Sequence, residues 1–336
     1  MSVPTAFFNE ILEQPAALRD LIAHYQSTED RAALERLERP RFVLLSGMGA
    51  SFHAAQYGAL LFGSIGIAAT AVEASDLLNF DLAIPGAADL FIFISQSGSS
   101  GEIPPLLARL SPHLTVLGIT NTPDSPLAQA AQSTLLQHAG PETTVATKTY
   151  INSLACLWLM AQRWSGRLDQ AYGQLEQVAE AATQRLEARD SITGAWFDAM
   201  AGCEQIAFVG HGPHVSTARQ GAMMLAEWAK VRALWFSIGA FRHGFIEFVT
   251  PTTGFIAFGE SGLTRVSTRA VLDEVGGYGA RTLSVVGGLA DTTASWDDFL
   301  APMLDVIPAQ LFAEAMARRL GVEPGFRYIQ KVVRAL

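Results

Sequence analysis

The stretch SQSGSSGE at residues 95–102 carries the side chains that an anion-binding loop needs. It follows the apolar run FIFI, and half of its residues are serines: Ser95, Ser97, Ser99 and Ser100. Their hydroxyls can donate hydrogen bonds, and a following helix would add unpaired N–H groups with partial positive charge. Such a loop could hold a phosphate without a lysine. The same residues also fit an ordinary turn with an N-cap serine and Glu102 in the first helical turn.

Two further residues could move protons. Glu227 lies in a stretch predicted to be helical from about residue 219 to 231, on one face with Met223, Met224 and Val231. A carboxylate desolvated on such an apolar face becomes a stronger base, although a glutamate at a helix edge can also reach solvent. His243, in FRHGF, is predicted to lie in a loop after a strand, where it could be either a catalytic or a surface histidine.

Positioning these residues requires strands and helices, and the sequence predicts both in alternation. RFVLLSGMGASFHAAQYGALL reads as strand, glycine turn and helix, and QIAFVGHGPHVSTARQGAMML repeats that order. Laying Gly47 on Gly210 also pairs Gly49 with Gly212. FIFISQSG from residue 91 then pairs with FIAFGESG from residue 255 at an offset one residue larger than that of the glycines, and this pairing sets Ser97 on Ser261. We infer a duplicated α/β domain with parallel sheets, joined by a helical connector at about residues 168–190.

Composition limits the kinds of function. The chain of 336 residues is long enough for two domains, and its 49% hydrophobic and 16% charged residues are typical of a well-buried globular protein. A net charge of -9 without a basic stripe argues against a nucleic-acid partner. No apolar run reaches the length of a membrane span and the N-terminus lacks a signal-peptide pattern, so we expect a cytoplasmic location. Two cysteines, Cys156 and Cys203, form neither a disulfide framework nor a metal knuckle, and we expect no metal.

The first glycine turn, GMGAS, does not match a dinucleotide-binding fingerprint. Phe52 stands where the third glycine of G-x-G-x-x-G is required, and no Walker loop is present. We therefore expect no nicotinamide cofactor.

Six segments together resemble the tandem sugar-isomerase (SIS) domain family: GMGAS, ISQSGSSGE, TVATKTY, QGAMMLAEWAKV, FRHGFIE and FRYIQKVV. The resemblance covers nearly the whole chain and is strongest to the isomerase half of glucosamine-6-phosphate synthase. It implies an α/β fold of two doubly wound, flavodoxin-like parallel-sheet domains. We expect a helical lead-in at residues 1–30, a first domain at 31–170 and a second at 190–336. The opening MSVPTAFF lacks the nucleophilic cysteine of a glutaminase, so the resemblance favours stand-alone deaminases, isomerases and deglycases.

The resemblance also implies a sugar-phosphate site. The phosphate-binding positions of the second loop correspond to Ser95, Gln96, Ser97 and Ser100. In the first turn, Gly49 and Ser51 correspond to ligand-binding positions, while Ala50 lacks the family's hydroxyl. The covering loop, ETTVATK at residues 142–148, is one residue shorter than the family pattern. Val145 and Thr147 are its expected substrate contacts, and the alternative is that Thr147 only caps the helix that follows.

Catalytic positions follow from the same resemblance. Glu227 corresponds to the proton-shuttling glutamate and His243 to the ring-opening histidine, on a loop that reaches into the neighbouring subunit of a homodimer. Lys331 corresponds to a lysine that closes over the substrate and can form a Schiff base, although a C-terminal lysine is also often solvated. Phe245 stands where the family has a proline.

The implied reaction is C1–C2 proton transfer on an amino-sugar or fructosamine 6-phosphate, with release of ammonia or an amine. Acid–base chemistry alone suffices for this step, so no cofactor is expected. Two alternatives remain: an aldose–ketose isomerase that runs the same proton transfer without loss of nitrogen, and a phosphosugar sensor without catalysis.

Overall fold

The computed structural model describes residues 4–80, 82–259, 262–285 and 297–333. Its chain divides into two compact units. The first unit comprises the described residues of Glu13–Ala179 and Arg327–Leu336, and the second comprises those of Met1–Leu12 and Glu180–Phe326. Within the described ranges, no helix combines the length and apolarity needed to cross a membrane.

The first unit is built on a five-stranded parallel sheet in the order β2-β1-β3-β4-β5. Its strands are β1 (Phe42–Gly47), β2 (Ala68–Glu73), β3 (Leu90–Ile94), β4 (Thr115–Thr120) and β5 (Ser133–Leu136). All five residues of β3 are buried, as expected for a central strand covered on both faces. This strand order is the flavodoxin-like one, which reverses direction between β1 and β3.

Helices cover both faces of the first sheet. They are α2 (Gln14–Gln26), α3 (Thr28–Glu35), α4 (Ala50–Ser64), α5 (Ala74–Asn79), α6 (Ile84–Ala87), α7 (Ile103–Leu107), α8 (Pro126–Ala130) and α9 (Lys148–Trp164). One face packs against α5, α7 and α8. On the other, a Cβ at Gly58 would lie 2.7 Å from Leu45 Cδ2 and 3.1 Å from Leu157, so only glycine lets α4 fit between β1 and α9.

The second unit contains a four-stranded parallel sheet in the order β7-β6-β8-β9. Its strands are β6 (Gln205–Gly210), β7 (Ala233–Ser237), β8 (Thr253–Phe258) and β9 (Arg281–Val285). Its helices are α1 (Ala6–Leu12), α11 (Arg189–Ala199), α12 (His214–Met224), α13 (Ile238–Arg242), α14 (Arg265–Gly277) and α15 (Ala301–Arg319). The predicted connector is helical as α10 (Leu168–Glu187), which begins in the first unit and ends in the second.

Paired glycines have the same geometry in the two units. Gly49 and Gly212 have φ values of +52° and +50°, and Gly98 and Gly262 have values of +59° and +67°. Gly47 and Gly210 both end a strand so close to the following helix that a Cβ would lie within 3 Å of it. The expected α/β fold with two parallel sheets is confirmed, whereas duplication stays a prediction. Ser261, which it pairs with Ser97, lies outside the described residues.

A buried charge cluster lies in the second unit. His214 Nδ1 lies 3.4 Å from Asp305 Oδ2, His214 Nε2 lies 3.8 Å from Asp298 Oδ1, and Arg185 Nη1 lies 3.4 Å from Asp305 Oδ1. Burial lowers the pKa of His214, but the two carboxylates outweigh burial, so this pKa lies above its usual value.

The chain's tail differs from the predicted domain division. Residues 327–333 group with the first unit, although the sequence places them in a second domain at 190–336. The bonds of Lys331 to Glu142 and Thr144, and of Val333 to Gly101, explain this grouping.

Candidate functional site

The two predicted ligand-binding turns meet at the switch point of the first sheet. The GMGAS turn follows β1, and SQSGSSGE at residues 95–102, the serine loop, follows β3, which is β1's neighbour. A Cβ on Gly47 would lie 2.9 Å from both the Ile94 carbonyl oxygen and Ser51 Cβ, so glycine is required where these segments touch. Ligands of open parallel sheets bind at this position.

The serine loop is tightly held by its own hydrogen bonds. The buried Ser95 Oγ accepts from Gly98 N at 3.1 Å, and Ser97 Oγ accepts from Ser99 N at 3.2 Å. Gly98 has φ +59°, and a Cβ there would lie 2.1 Å from Ser125 Oγ, so the turn requires glycine. Gln96, Ser97, Ser99 and Ser100 are partly exposed. These four residues, together with backbone N–H groups, are what the loop presents to solvent.

The helix after this loop differs from the expectation. Helix α7 has only five residues and carries Pro104 and Pro105, which have no N–H. The predicted contribution of a helix N-terminus is therefore small, because the macrodipole needs several aligned peptides and free donors. Binding of an anion here depends on the loop's own hydroxyl and N–H groups.

Glu142 organises the covering loop. Its Oε1 accepts from Thr147 N at 2.8 Å, from Thr147 Oγ1 at 3.0 Å and from Thr149 N at 3.2 Å, and its Oε2 accepts from Thr149 Oγ1 at 2.6 Å. Thr147 is the N-cap of α9, as the alternative predicted, but its side chain makes no capping bond, and its hydroxyl donates to Glu142. The Val145 and Thr147 side chains are buried, whereas Ala146 between them is partly exposed.

The tail joins the covering loop to the serine loop. Lys331 Nζ donates to Glu142 Oε2 at 3.0 Å and also to the Thr144 carbonyl oxygen, and Gly101 N donates to the Val333 carbonyl oxygen at 3.1 Å. These bonds place Lys331 beside the loops that the sequence assigned to the substrate. Before Lys331 could form a Schiff base, its hydrogen bonds to Glu142 and to the Thr144 carbonyl oxygen would have to break.

The Glu142 carboxyl is fully buried yet ionised. Burial raises its pKa, but the Lys331 ammonium and hydrogen bonds from Thr149 and Thr147 together lower it more, so the pKa lies below its usual value. The residue pattern by itself assigns Glu142 no role. The only signal was its place at the start of ETTVATK, because its lysine partner is distant in sequence.

Glu227 lies in a different helical geometry from the predicted one. Helix α12 ends at Met224, a π-helical turn occupies Leu225–Ala229, and Lys230 ends it with φ +57°. The wider turn breaks the expected i+4 stripe, so the prediction of a continuous α-helix over about residues 219–231 is wrong. The Glu227 side chain is half-buried. Lys230 Nζ fixes the turn's end by donating to the Glu227 and Gly325 carbonyl oxygens. Turns of this kind are frequent at functional sites.

His243 is exposed, but it does not directly follow a strand. Helix α13 separates it from β7, and Gly244 follows it with φ +141°. Phe245 is 53% exposed, with its ring centroid 4.6 Å from that of Phe236. The loop therefore presents an imidazole and an aromatic ring together on the surface of the second unit.

The fold and site define an α/β protein with a flavodoxin-like first sheet and hydroxyl-rich loops at its switch point. Residues 37–163 match the family model of the SIS domain. The chain is 29% identical over 340 residues to the glutamine--fructose-6-phosphate aminotransferase [isomerizing] of Lactiplantibacillus plantarum, with 95% of this chain and 56% of the relative covered. The chain thus spans about half the length of the curated relatives that it matches.

Solved structures share this fold. The C-terminal domain of glucosamine-fructose-6-phosphate aminotransferase from Francisella tularensis has a TM-score of 0.84 at 21% identity, with 97% of this chain and 99% of that one covered. Glucosamine-6-phosphate deaminase from Thermotoga maritima has a TM-score of 0.82 at 19% identity, with coverages of 98% and 99%. At these identities the similarity establishes the fold.

Proposed function

We propose that this chain is an enzyme that transfers a proton between C1 and C2 of an amino-sugar or fructosamine 6-phosphate, releasing ammonia or an amine. The observation that carries the proposal is the closed set of loops in the first unit. There the serine loop, the GMGAS turn, the covering loop and the tail meet around one sheet edge. The relatives' names, which include a phosphosugar aminotransferase and a deaminase, support this substrate class.

The phosphate would bind the serine loop. Ser97 and Ser100 offer hydroxyls, Gln96 offers an amide, and the tight turn at Gly98 orients the backbone. Such neutral donors stabilise a dianion through several hydrogen bonds without a cation. In this proposal Lys331 holds the covering loop closed through Glu142.

The proton transfers are assigned to the second unit. His243 would move a proton from the anomeric hydroxyl to the ring oxygen and so open the ring. With a 2-amino sugar, Glu227 would then take the C2 proton and return it to C1, which leaves an imine at C2. Water adds to that imine and the C–N bond breaks, giving a ketose phosphate and ammonia. A fructosamine phosphate would run the transfer from C1 to C2 and lose its amine from C1.

A homodimer is part of the proposal. The exposed His243 and Phe245 lie together on one surface loop, and an exposed aromatic beside a catalytic histidine suits a contact with a second copy. The His243 side chain would then serve the neighbouring copy's site.

The test is a panel of phosphosugars assayed for ammonia, amine and ketose formation with the purified chain. Glu227→Gln should lower kcat by about 10²–10⁴-fold with binding retained, because the amide cannot take the proton. The exposed Glu187→Gln is the matched control and should keep wild-type rates.

Two results would replace this proposal. Ketose–aldose interconversion without nitrogen release would favour an isomerase, which is the second candidate because the relatives are named isomerizing. Saturable phosphosugar binding without turnover by any substrate would favour a sensor.

A further inference from the structure

A buried carboxylate on α15 contacts the π-helical turn that carries Glu227. Glu314 is 2% exposed, and its Oε2 accepts from Trp228 Nε1 at 2.6 Å. Trp228 is the residue next to Glu227 in the turn, and it is 3% exposed. An indole has a single hydrogen-bond donor, so Glu314 is the partner that lets this ring be buried. A hydrogen bond to a carboxylate is roughly twice as strong as one between neutral groups.

The other oxygen of this carboxylate binds donors outside the turn. Glu314 Oε1 accepts from Thr5 Oγ1 at 2.9 Å and from Arg318 Nε at 2.6 Å. Thr5 directly precedes α1, and Arg318 lies one turn further along α15. The two oxygens therefore have different tasks, because Oε1 joins α1 to α15 and Oε2 joins α15 to the π-helical turn. This division allows the effect of the Trp228 bond to be separated from that of the carboxylate as a whole.

The backbone of the turn has an uncommon register. Lys230 N donates to the Leu225 carbonyl oxygen five residues back, and Val231 N donates to the same oxygen at 3.0 Å. A regular α-helix bonds each N–H to the carbonyl four residues back, and π-helical turns are rare. Conversion of the turn to α-helical bonding would shift its register by one residue, which rotates a side chain by about 100° about the helix axis. Glu227 lies in the middle of the turn, so this register decides the direction of its side chain.

The Trp228 bond supplies the direction that packing alone lacks. The Trp228 ring centroid lies 4.6 Å from that of the buried Phe7 on α1. Apolar contact is non-directional and tolerates a shifted ring, whereas an N–H donor must point at its acceptor. The bonds of Lys230 Nζ to the Glu227 and Gly325 carbonyl oxygens fix only the end of the turn. Glu314 therefore provides the directional side-chain contact beside Glu227.

We propose that Glu314 is a positioning residue for Glu227: by accepting from Trp228 it keeps the π-helical turn in register and so keeps the Glu227 carboxylate in place. The inference rests on the proposed function for the role of Glu227 as the base. A reacting group that is misplaced by about 1 Å can cost about 100-fold in rate. Loss of the Trp228 bond should therefore lower kcat. KM should change little, because the loops that bind the phosphate belong to the first unit.

Two substitutions in the full chain remove this bond, one from each side. Trp228→Phe deletes the indole N–H and keeps an aromatic ring against Phe7, and Glu314→Gln replaces one carboxylate oxygen with an amide donor. Arg318→Met is the matched control, because it deletes a bond to the other oxygen of the same carboxylate and leaves Trp228 unchanged. The Arg318 side chain is 39% exposed, so its replacement leaves no large cavity. Circular dichroism and urea unfolding check that each variant is folded.

Steady-state release of ammonia from glucosamine 6-phosphate, or of amine from a fructosamine 6-phosphate, separates positioning from stability. Trp228→Phe and Glu314→Gln should each lower kcat by about 10–100-fold with KM within about twofold. The two substitutions together should lower kcat no further than either one alone, and Arg318→Met should keep it within about twofold. In a Glu227→Gln background, Trp228→Phe should lower kcat by less than about twofold, because no base is left to position.

Hydrogen exchange, followed by mass spectrometry, tests the turn independently of any reaction. Peptides that cover residues 225–231 should exchange at least about tenfold faster in Trp228→Phe and Glu314→Gln than in wild type, and Arg318→Met should stay within about twofold. If wild type turns over no phosphosugar, the proposed function fails, and this exchange alone decides whether Glu314 holds the turn.

Three results would each overturn the proposal. The first is unchanged exchange of residues 225–231 in Trp228→Phe and Glu314→Gln. The second is a loss of kcat in Arg318→Met as large as that in Trp228→Phe. The third is a further loss of about tenfold or more when Trp228→Phe is added to Glu227→Gln, because a merely structural bond would affect kcat with or without the base.

Discussion

The ion pair between Lys331 and Glu142 should hold the tail on the covering loop, and Lys331→Met tests this. Methionine keeps most of the aliphatic length and removes the ammonium. The substitution therefore deletes the bonds to Glu142 and to the Thr144 carbonyl oxygen and leaves the backbone bond from Gly101 to Val333 in place.

The size of the effect follows from burial. Removing one partner of a fully buried ion pair costs about 3–5 kcal/mol, and an exposed pair contributes about 0–1 kcal/mol. The Lys331 side chain is 23% exposed, and without it the Glu142 carboxylate keeps four hydrogen bonds from Thr147 and Thr149. We therefore expect a loss of about 1–2 kcal/mol. The tail can detach without unfolding the sheet, so this loss should appear as local opening.

Chymotrypsin reports that opening at Tyr328, which is 95% exposed and lies three residues before Lys331. A loss of 1–2 kcal/mol should increase the rate of cleavage there by about 5–30-fold, with little change in the urea midpoint. Arg41→Met is the matched control, because the Arg41 side chain is 93% exposed and its pair with Asp89 lies at the surface. In a Glu142→Gln background, Lys331→Met should increase the cleavage rate by less than about twofold.

A cleavage rate within twofold of wild type would refute this account of the tail. The pH dependence gives a second check. Because the Glu142 pKa is lowered in the folded protein, its contribution is present above the usual value of 4.5 and is lost as pH falls through the folded pKa. Tail opening, followed with a protease that is active in acid, should therefore increase below about pH 4.5 in wild type and less so in Glu142→Gln.

Three further predictions concern other parts of the chain. Gly98→Ala should abolish phosphosugar binding in calorimetric titration, because its Cβ has no room and φ is positive. Gly63→Ala, in open space on α4, should raise the free energy of unfolding in urea by about 0.5–1 kcal/mol. His214 has a raised pKa, so the stability that it contributes is complete below about pH 6.5 and is lost as pH rises through the folded pKa. The urea midpoint of His214→Gln should show no such loss, and a pH profile identical to that of wild type would contradict this. Burial raises the pKa of the Cys156 thiol to about 12, so maleimide should label the less buried Cys203 first, and equal rates would count against that assignment.

The turns of the site were predictable because their signals are local. Gly47 ends an apolar strand, where a Cβ would meet the backbone of Ser51 four residues further on, and Gly98 turns the next loop with a positive φ. Both requirements are visible in the spacing of a few residues. The same reasoning failed at Glu227. An apolar periodicity of 3.6 predicts a regular helix, and the π-helical turn that begins at Leu225 leaves no sequence signal within that periodicity.

The sequence by itself determined the alternation of strands and helices, the glycine turns and the hydroxyl-rich loop, since all of these follow from propensities and periodicities over short spans. Only the tertiary structure decided which distant side chains meet. Lys331 and Glu142 are 189 residues apart, and Trp228 and Glu314 are 86 residues apart. Strand order and helix packing bring such residues together, and pairing over these separations leaves no local pattern in a single sequence.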